Sequence, residues 1–94
     1  METIRYEVTL VVHVVDSLTV EYGTPVERDH SQYLASFEDA SRWAMSRARQ
    51  GDVITIYALC LTDASIAPMW HKVITQLVWG SEGMTVLVPM SDAR

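Results

Sequence analysis

Chemistry needs reactive side chains held together, and in this chain the histidines, the cysteine and the serines are the groups to weigh. His13, His30 and His71 fall on three separate segments, and Cys60, the single cysteine, stands inside an apolar run. No HxxxH, CxxC or HExxH spacing occurs, so no metal site is expected. Nucleophilic catalysis needs a Ser or Cys beside a base and an orienting group. Cys60 reads as a buried core thiol, the serines occupy turn, cap or polar-helix positions, and there is no GxSxG elbow. Gly23, Gly51, Gly80 and Gly83 build neither a P-loop nor a GxGxxG loop. His30, next to Asp29 and near Glu27, is the combination with acid–base capacity, since imidazole titrates near neutral pH. A histidine among loop acids is also an ordinary solvated side chain. The expectation is a protein that is not an enzyme and carries no cofactor.

Charge is the most informative feature. The 94 residues carry a net charge of -5. Between Asp16 and Asp39 lie six acids (Asp16, Glu21, Glu27, Asp29, Glu38, Asp39) against Arg28 alone, whereas outside that window acids and bases cancel. The whole net charge therefore sits in about a quarter of the chain, and if folding gathers it the result is an acidic edge. Such an edge repels nucleic acid and steers association with basic protein surfaces. Arg42, Arg47 and Arg49 form no basic stripe with interleaved aromatics, so direct nucleic-acid binding is not expected.

The elements that position these groups follow from periodicity. Apolar residues at Ile4, Tyr6, Val8, Leu10, Val12 and Val14 alternate with Arg5, Glu7, Thr9 and His13, which predicts a half-buried strand. Leu18, Val20 and Tyr22 resume the alternation, either as a hairpin partner or as a bulged continuation, before Gly23-Thr24-Pro25 ends the strand. Residues 23–32 read as an exposed loop. Ser36 followed by Asp39 resembles a capping box that opens a helix from Phe37 to about Arg49. Its stripe is Phe37, Ala40, Ala44 and Ala48, with Trp43 and Met45 at the margins, and Gly51 suits its C′ position. Val53–Leu61 is nearly all apolar and predicts a central strand covered on both faces. Met69–Trp79 alternates again, Gly80-Ser81-Glu82-Gly83 is a turn, and Met84–Val88 is a last short strand.

The expected fold is thus one α+β domain over residues 1–94, in the order ββαβββ: an antiparallel sheet of four to five strands with one helix packed on one face. One helix hides one face, so a homodimer or a partner protein is the simplest cover for the other. A 49% hydrophobic content excludes disorder, and no apolar run approaches the roughly 18 residues of a membrane span. Glu2, Arg5 and Glu7 stand where a signal peptide needs a basic start and an apolar core, so a cytoplasmic protein is expected. The chain has no asparagine and six arginines against Lys72 alone, the usage of a G+C-rich coding sequence, which points to a bacterium or its phage.

In size, acidity and α+β economy the chain resembles the small acidic anti-defence proteins of the anti-CRISPR type that phages encode. The acid-rich stretch Glu21–Asp39, the helix SFEDASRWAMSRARQG and the G+C-rich usage carry this resemblance of general form. It implies a non-catalytic inhibitor of a bacterial defence or nucleic-acid-handling complex, binding a host protein or effector complex through a basic surface in the cytoplasm of a bacterial host. Glu21, Glu27, Asp29, Glu38 and Asp39 would then supply charge complementarity, and Tyr22, Tyr33 and Trp43 the aromatic anchors. The alternative from a different class is an obligate homodimeric assembly protein whose exposed face, with Trp70, Ile74 and Val78 or the opposite set, is buried by a second copy.

Overall fold

The computed structural model describes residues 1–14, 24–64 and 66–91. Five strands, β1 (Thr3–Val14), β2 (Thr24–His30), β3 (Val53–Leu61), β4 (Trp70–Gly80) and β5 (Gly83–Val88), form one sheet in the order β2-β1-β3-β4-β5, antiparallel throughout. The single helix among the described residues, α1 (Phe37–Arg47), lies across β1 and β3. The fold is α+β with the order ββαβββ. Among the described residues no helix is long and apolar enough to cross a membrane.

The long alternating segment becomes β1 because Tyr6, Val8 and Leu10 turn one way, under the helix. There they meet Ile54 and Ile56 of β3 and the alanine stripe, with Ala40 and Ala44 buried and Phe37, Trp43, Ala48 and Leu77 closing the margins. Methyl-sized side chains let the helix axis approach the sheet. Ser36 caps α1 by accepting the Asp39 N–H at 3.0 Å, while the Asp39 carboxylate turns to Arg42 instead of completing a capping box. The helix stops at Arg47, two residues short of expectation. Ala48 is already extended, and Gly51 (φ +99°) is not the helix C′ residue. Gly51 sits at the third position of a turn closed by the Asp52 N–H to Arg49 carbonyl bond at 3.0 Å, the place where a type II turn needs positive φ.

The predicted loop at 23–32 is the main difference. Residues 24–30 are the edge strand β2, and the strand expected at Leu18–Tyr22 lies outside the described residues. An edge strand has one main-chain side facing water, so it tolerates Pro25 and carries Glu27, Arg28, Asp29 and His30, which a loop reading takes for solvation alone. The segment 31–34 then follows β1 to the helix. Ser31 N–H donates to the Val8 carbonyl at 2.8 Å, the buried Ser31 Oγ accepts the Val8 N–H at 2.9 Å, and Leu34 pairs with Tyr6 through both main-chain groups. Ser31→Ala strands the buried Val8 N–H and is expected to cost about 1–3 kcal/mol. Urea unfolding checks this; an unchanged midpoint would show that water replaces the hydroxyl.

A bulge resets the period in β4. Ile56 pairs with Thr75 and Tyr57 with Val73, so Ile74 is an extra residue. Trp70 and Lys72 therefore share a side with Leu77 and Trp79, while His71, Val73, Gln76 and Val78 take the other. The set Trp70, Ile74, Val78, expected to form one exposed face, is broken up: Ile74 is 2% exposed, and Trp70 and Val78 lie on opposite faces. β3 is covered on both sides, as its composition requires, with Leu59 and Thr55 buried on the face away from α1 and Thr55 Oγ1 accepting from Gln76 at 2.9 Å. The two-residue hairpin Ser81-Glu82 is closed by Gly80 and Gly83, the latter at φ +118°.

Candidate functional site

Of the residues singled out from sequence, Glu27 and Asp29 lie on β2 beside the end of α1 (the β2–α1 corner), Trp43 lies on α1 one turn before Arg47, and Glu38 and Asp39 lie at the start of α1, while Glu21 and Tyr22 lie outside the described residues. Asp29 of β2 faces Arg47 in the last turn of α1 at 3.5 Å, and the Arg47 guanidinium rests on the Trp43 ring with its carbon 5.0 Å from the centroid. The spacing Trp43–Arg47 is one helical turn, which aligns the two side chains. Glu27 lies 3.4 Å from His30 Nδ1, and the Asp29 carboxylate also accepts the His30 N–H at 2.9 Å. At the other end of the helix Glu38 and Asp39 each lie 3.3 Å from Arg42. Tyr33, half exposed, stands on the connecting segment.

The fold thus distributes the described acids into two groups rather than one continuous edge. Glu27 and Asp29 sit beside the helix C-terminus and Glu38 and Asp39 at its N-terminus, nine residues and about 13 Å apart along the axis. Arg42 and Arg47, which the linear charge map places outside the acidic window, return to it in space. The local excess is smaller than the sequence window suggests. The pairs are exposed, however, and surface pairs of this kind contribute only about 0–1 kcal/mol, so an incoming cation can exchange for Arg42 or Arg47 at little cost.

Between the elements lies an open cleft of about 340 Å³ lined by His30, Ser31, Gln32, Trp43 and Arg47. The Ser31 hydroxyl is already committed to the Val8 N–H and the Gln32 carbonyl, and Cys60 is buried in β3. Gln32, Ser31 and Arg47 were not evident as site residues; the one-turn spacing of Trp43 and Arg47 was the available signal.

Beneath the corner lies an ion pair that sequence reading missed. Arg28 occupies the bulge of β2, between Asp29 opposite Leu10 and Glu27 opposite Val11, and turns inward. Its Nε donates to Asp52 Oδ1 at 3.0 Å, its Nη2 donates to Asp52 Oδ2, and the same nitrogen donates to the Arg47 carbonyl at 2.9 Å. Asp52, 2% exposed, also accepts the Arg49 N–H at 2.7 Å. Burial pushes the Asp52 carboxyl up; the Arg28 and Arg49 hydrogen bonds and the charges of both arginines outweigh it and hold the group below the ordinary carboxylate value. The hydrogen bond to Asp52 raises Arg28 in turn. One ion pair therefore fixes β2, the end of α1 and the turn into β3 together.

A second polar group lies on the opposite face, where the His71 ring stacks on Tyr57 at 4.5 Å and His71 Nε2 lies 3.6 Å from Glu7. The pairing register makes this group, so no linear spacing reveals it. Among the described residues no cluster of three or more His, Cys, Asp or Glu side chains is arranged to hold a metal ion. Comparison of the chain with protein-family models, with curated proteins and with solved structures finds no match.

Proposed function

We propose that the chain is a small non-catalytic interaction protein that docks through the β2–α1 corner onto a basic protein surface. The resemblance of general form supplies the target class, a bacterial defence or nucleic-acid-handling complex that the docked protein inhibits in the host cytoplasm. The observation that carries the reading is an open cleft lined by Trp43 and Arg47, with Asp29 paired to Arg47 and Glu27 beside His30, while Tyr33 lies half exposed on the segment joining β2 to α1 and Glu38 and Asp39 stand about 13 Å away at the start of α1. Aromatic side chains supply the contact area that dominates interface energy, and exchangeable surface carboxylates supply steering and orientation. Ser31 and the buried Arg28–Asp52 pair hold the corner rigid, which lowers the ordering cost of association.

Affinity capture from bacterial lysate at low and high salt tests this. A partner with a basic surface is expected to be retained at low salt and released at high salt. The variant carrying Glu27→Lys, Asp29→Lys, Glu38→Lys and Asp39→Lys is expected to lose both the capture and its salt dependence. Tyr33→Ala alone is expected to weaken binding of the identified partner by about tenfold. Capture that survives charge reversal unchanged, in a variant with native circular dichroism, would remove the corner as the docking site.

A further inference from the structure

We infer that the group the β2–α1 corner takes from its partner is an arginine side chain, whose guanidinium displaces that of Arg47 from the Trp43 ring and binds the Asp29 carboxylate. The inference rests on the docking reading above and names the chemistry of the partner at that surface.

The seat already holds a guanidinium. Arg47 lies on the Trp43 ring with its carbon 5.0 Å from the centroid, and its Nη1 lies 3.5 Å from Asp29 Oδ2. An aromatic face and a carboxylate edge are the two surfaces a planar guanidinium fits, one by stacking and the other by hydrogen bonds. The ring is fixed, because Trp43 packs against the core beneath α1. An anion is the other class of ligand for a cleft lined by Arg47, and the carboxylates of Asp29 and Glu27 beside it oppose an anion.

The seat does not depend on the Arg47 side chain. Asp29 Oδ1 accepts the His30 N–H at 2.9 Å, which orients the carboxylate from within its own strand. Arg28 ties β2 to the end of α1 through Asp52 and the Arg47 main-chain carbonyl. Buried Ser31 fixes the connecting segment on β1. Truncation of Arg47 therefore leaves both ring and carboxylate in place.

Arg47 is also an imperfect occupant. Its stem starts one helical turn from Trp43, and its nitrogen stays 3.5 Å from Asp29, beyond the roughly 2.7–2.9 Å of a charge-assisted hydrogen bond. Arg47 is 55% exposed and Asp29 35%, so water screens the pair and little is lost when it opens. An arginine from another protein is free of the helix tether and can close that distance. The open cleft of about 340 Å³ beside the ring, lined also by His30, Ser31 and Gln32, admits its stem. Lysine has no plane to stack and presents a compact, strongly hydrated charge, so the seat favours arginine. At the start of α1, Arg42 pairs with Glu38 and Asp39, and among the described residues no ring contact accompanies that group. It serves as an internal control.

Titration of the isotope-labelled full chain with capped peptides Gly-Arg-Gly-Arg-Gly, Gly-Lys-Gly-Lys-Gly and Gly-Glu-Gly-Glu-Gly, followed by amide and indole N–H resonances, tests the inference. The arginine peptide is expected to shift the Trp43 indole and the Asp29 amide. It is expected to bind about threefold more tightly than the lysine peptide, the ratio that a guanidinium–ring contact at an exposed site supplies. Arg47→Ala removes a positive charge and so strengthens both cationic peptides; because it also vacates the ring, the arginine-over-lysine ratio is expected to widen. The double variant Glu38→Gln, Asp39→Asn is expected to keep the wild-type ratio. The same spectra report that each variant is folded. Equal affinities for the two cationic peptides, with the Asp29 amide shifted by both, overturn the selection of arginine and leave the corner a general cation-binding surface, so the docking reading stands. An arginine peptide that leaves the Trp43 indole unmoved overturns the seat. A ratio that does not widen in Arg47→Ala overturns displacement, and binding of the glutamate peptide at Trp43 overturns the sign of the ligand. The peptides need no partner protein, so a failed capture from lysate is a separate result.

Discussion

Arg28→Met is expected to destabilise the protein more than Asp52→Ala at neutral pH, although both remove the same ion pair. Asp52→Ala removes the buried acceptor and its bonds to Arg28 and the Arg49 N–H, an expected loss of about 2 kcal/mol. The freed Arg28 side chain, about a quarter exposed, can turn toward water. Arg28→Met leaves Asp52 ionised, 2% exposed and held by the Arg49 N–H, and a buried charge without its partner is the costlier defect.

The pH dependence separates the two cases. In the wild type the folded Asp52 value lies below the ordinary 3.8, so its stabilisation is complete above that value and is lost as pH falls through the folded one. In Arg28→Met the leading influence that remains is burial, which favours the neutral acid. Its penalty is therefore largest at neutral pH and shrinks on acidification, so the stabilities of Arg28→Met and Asp52→Ala converge. Urea unfolding at neutral and acid pH measures both. Equal stabilities at pH 7 would mean that Asp52 reaches water once Arg28 is gone.

Leu10→Ala is expected to cost about 3 kcal/mol, because Leu10 is fully buried in the cluster beneath α1, where backbone pairing on both sides of β1 limits collapse around the cavity. Val86→Ala on the uncovered edge is expected to change the stability of the monomer by less than about 0.5 kcal/mol. The contrast, read from urea midpoints at concentrations where the chain is monomeric, separates residues that hold the fold from residues that present a surface. A Leu10→Ala loss below 1 kcal/mol would show that the helix is not seated on β1 as described.

The elements with strong periodicity were legible in the residues. Val53–Leu61 coincides with β3, the alanine stripe and Ser36 mark α1, and Gly80 to Gly83 marks the last hairpin. Period two, apolar continuity and turn chemistry are local signals. The misreadings came where tertiary position outweighed local preference. β2 reads as a loop because its residues suit the sheet edge rather than its interior, and the bulge at Ile74 moved half of β4 to the other face.

For the candidate site, the sequence identified the aromatic and acidic residues but not their arrangement. Asp29 with Arg47, and Arg28 with Asp52, are 18 and 24 residues apart, and only the pairing of β2 beside β1 and the seating of α1 bring them together. Composition and spacing by themselves determined an antiparallel α+β domain, its helix and its net acidity, because side-chain volume, periodicity and charge are carried by each residue wherever it lies. Which carboxylates are neutralised, which face each β4 side chain takes and which edge is left bare were decided by the tertiary structure, since these depend on neighbours distant in the chain.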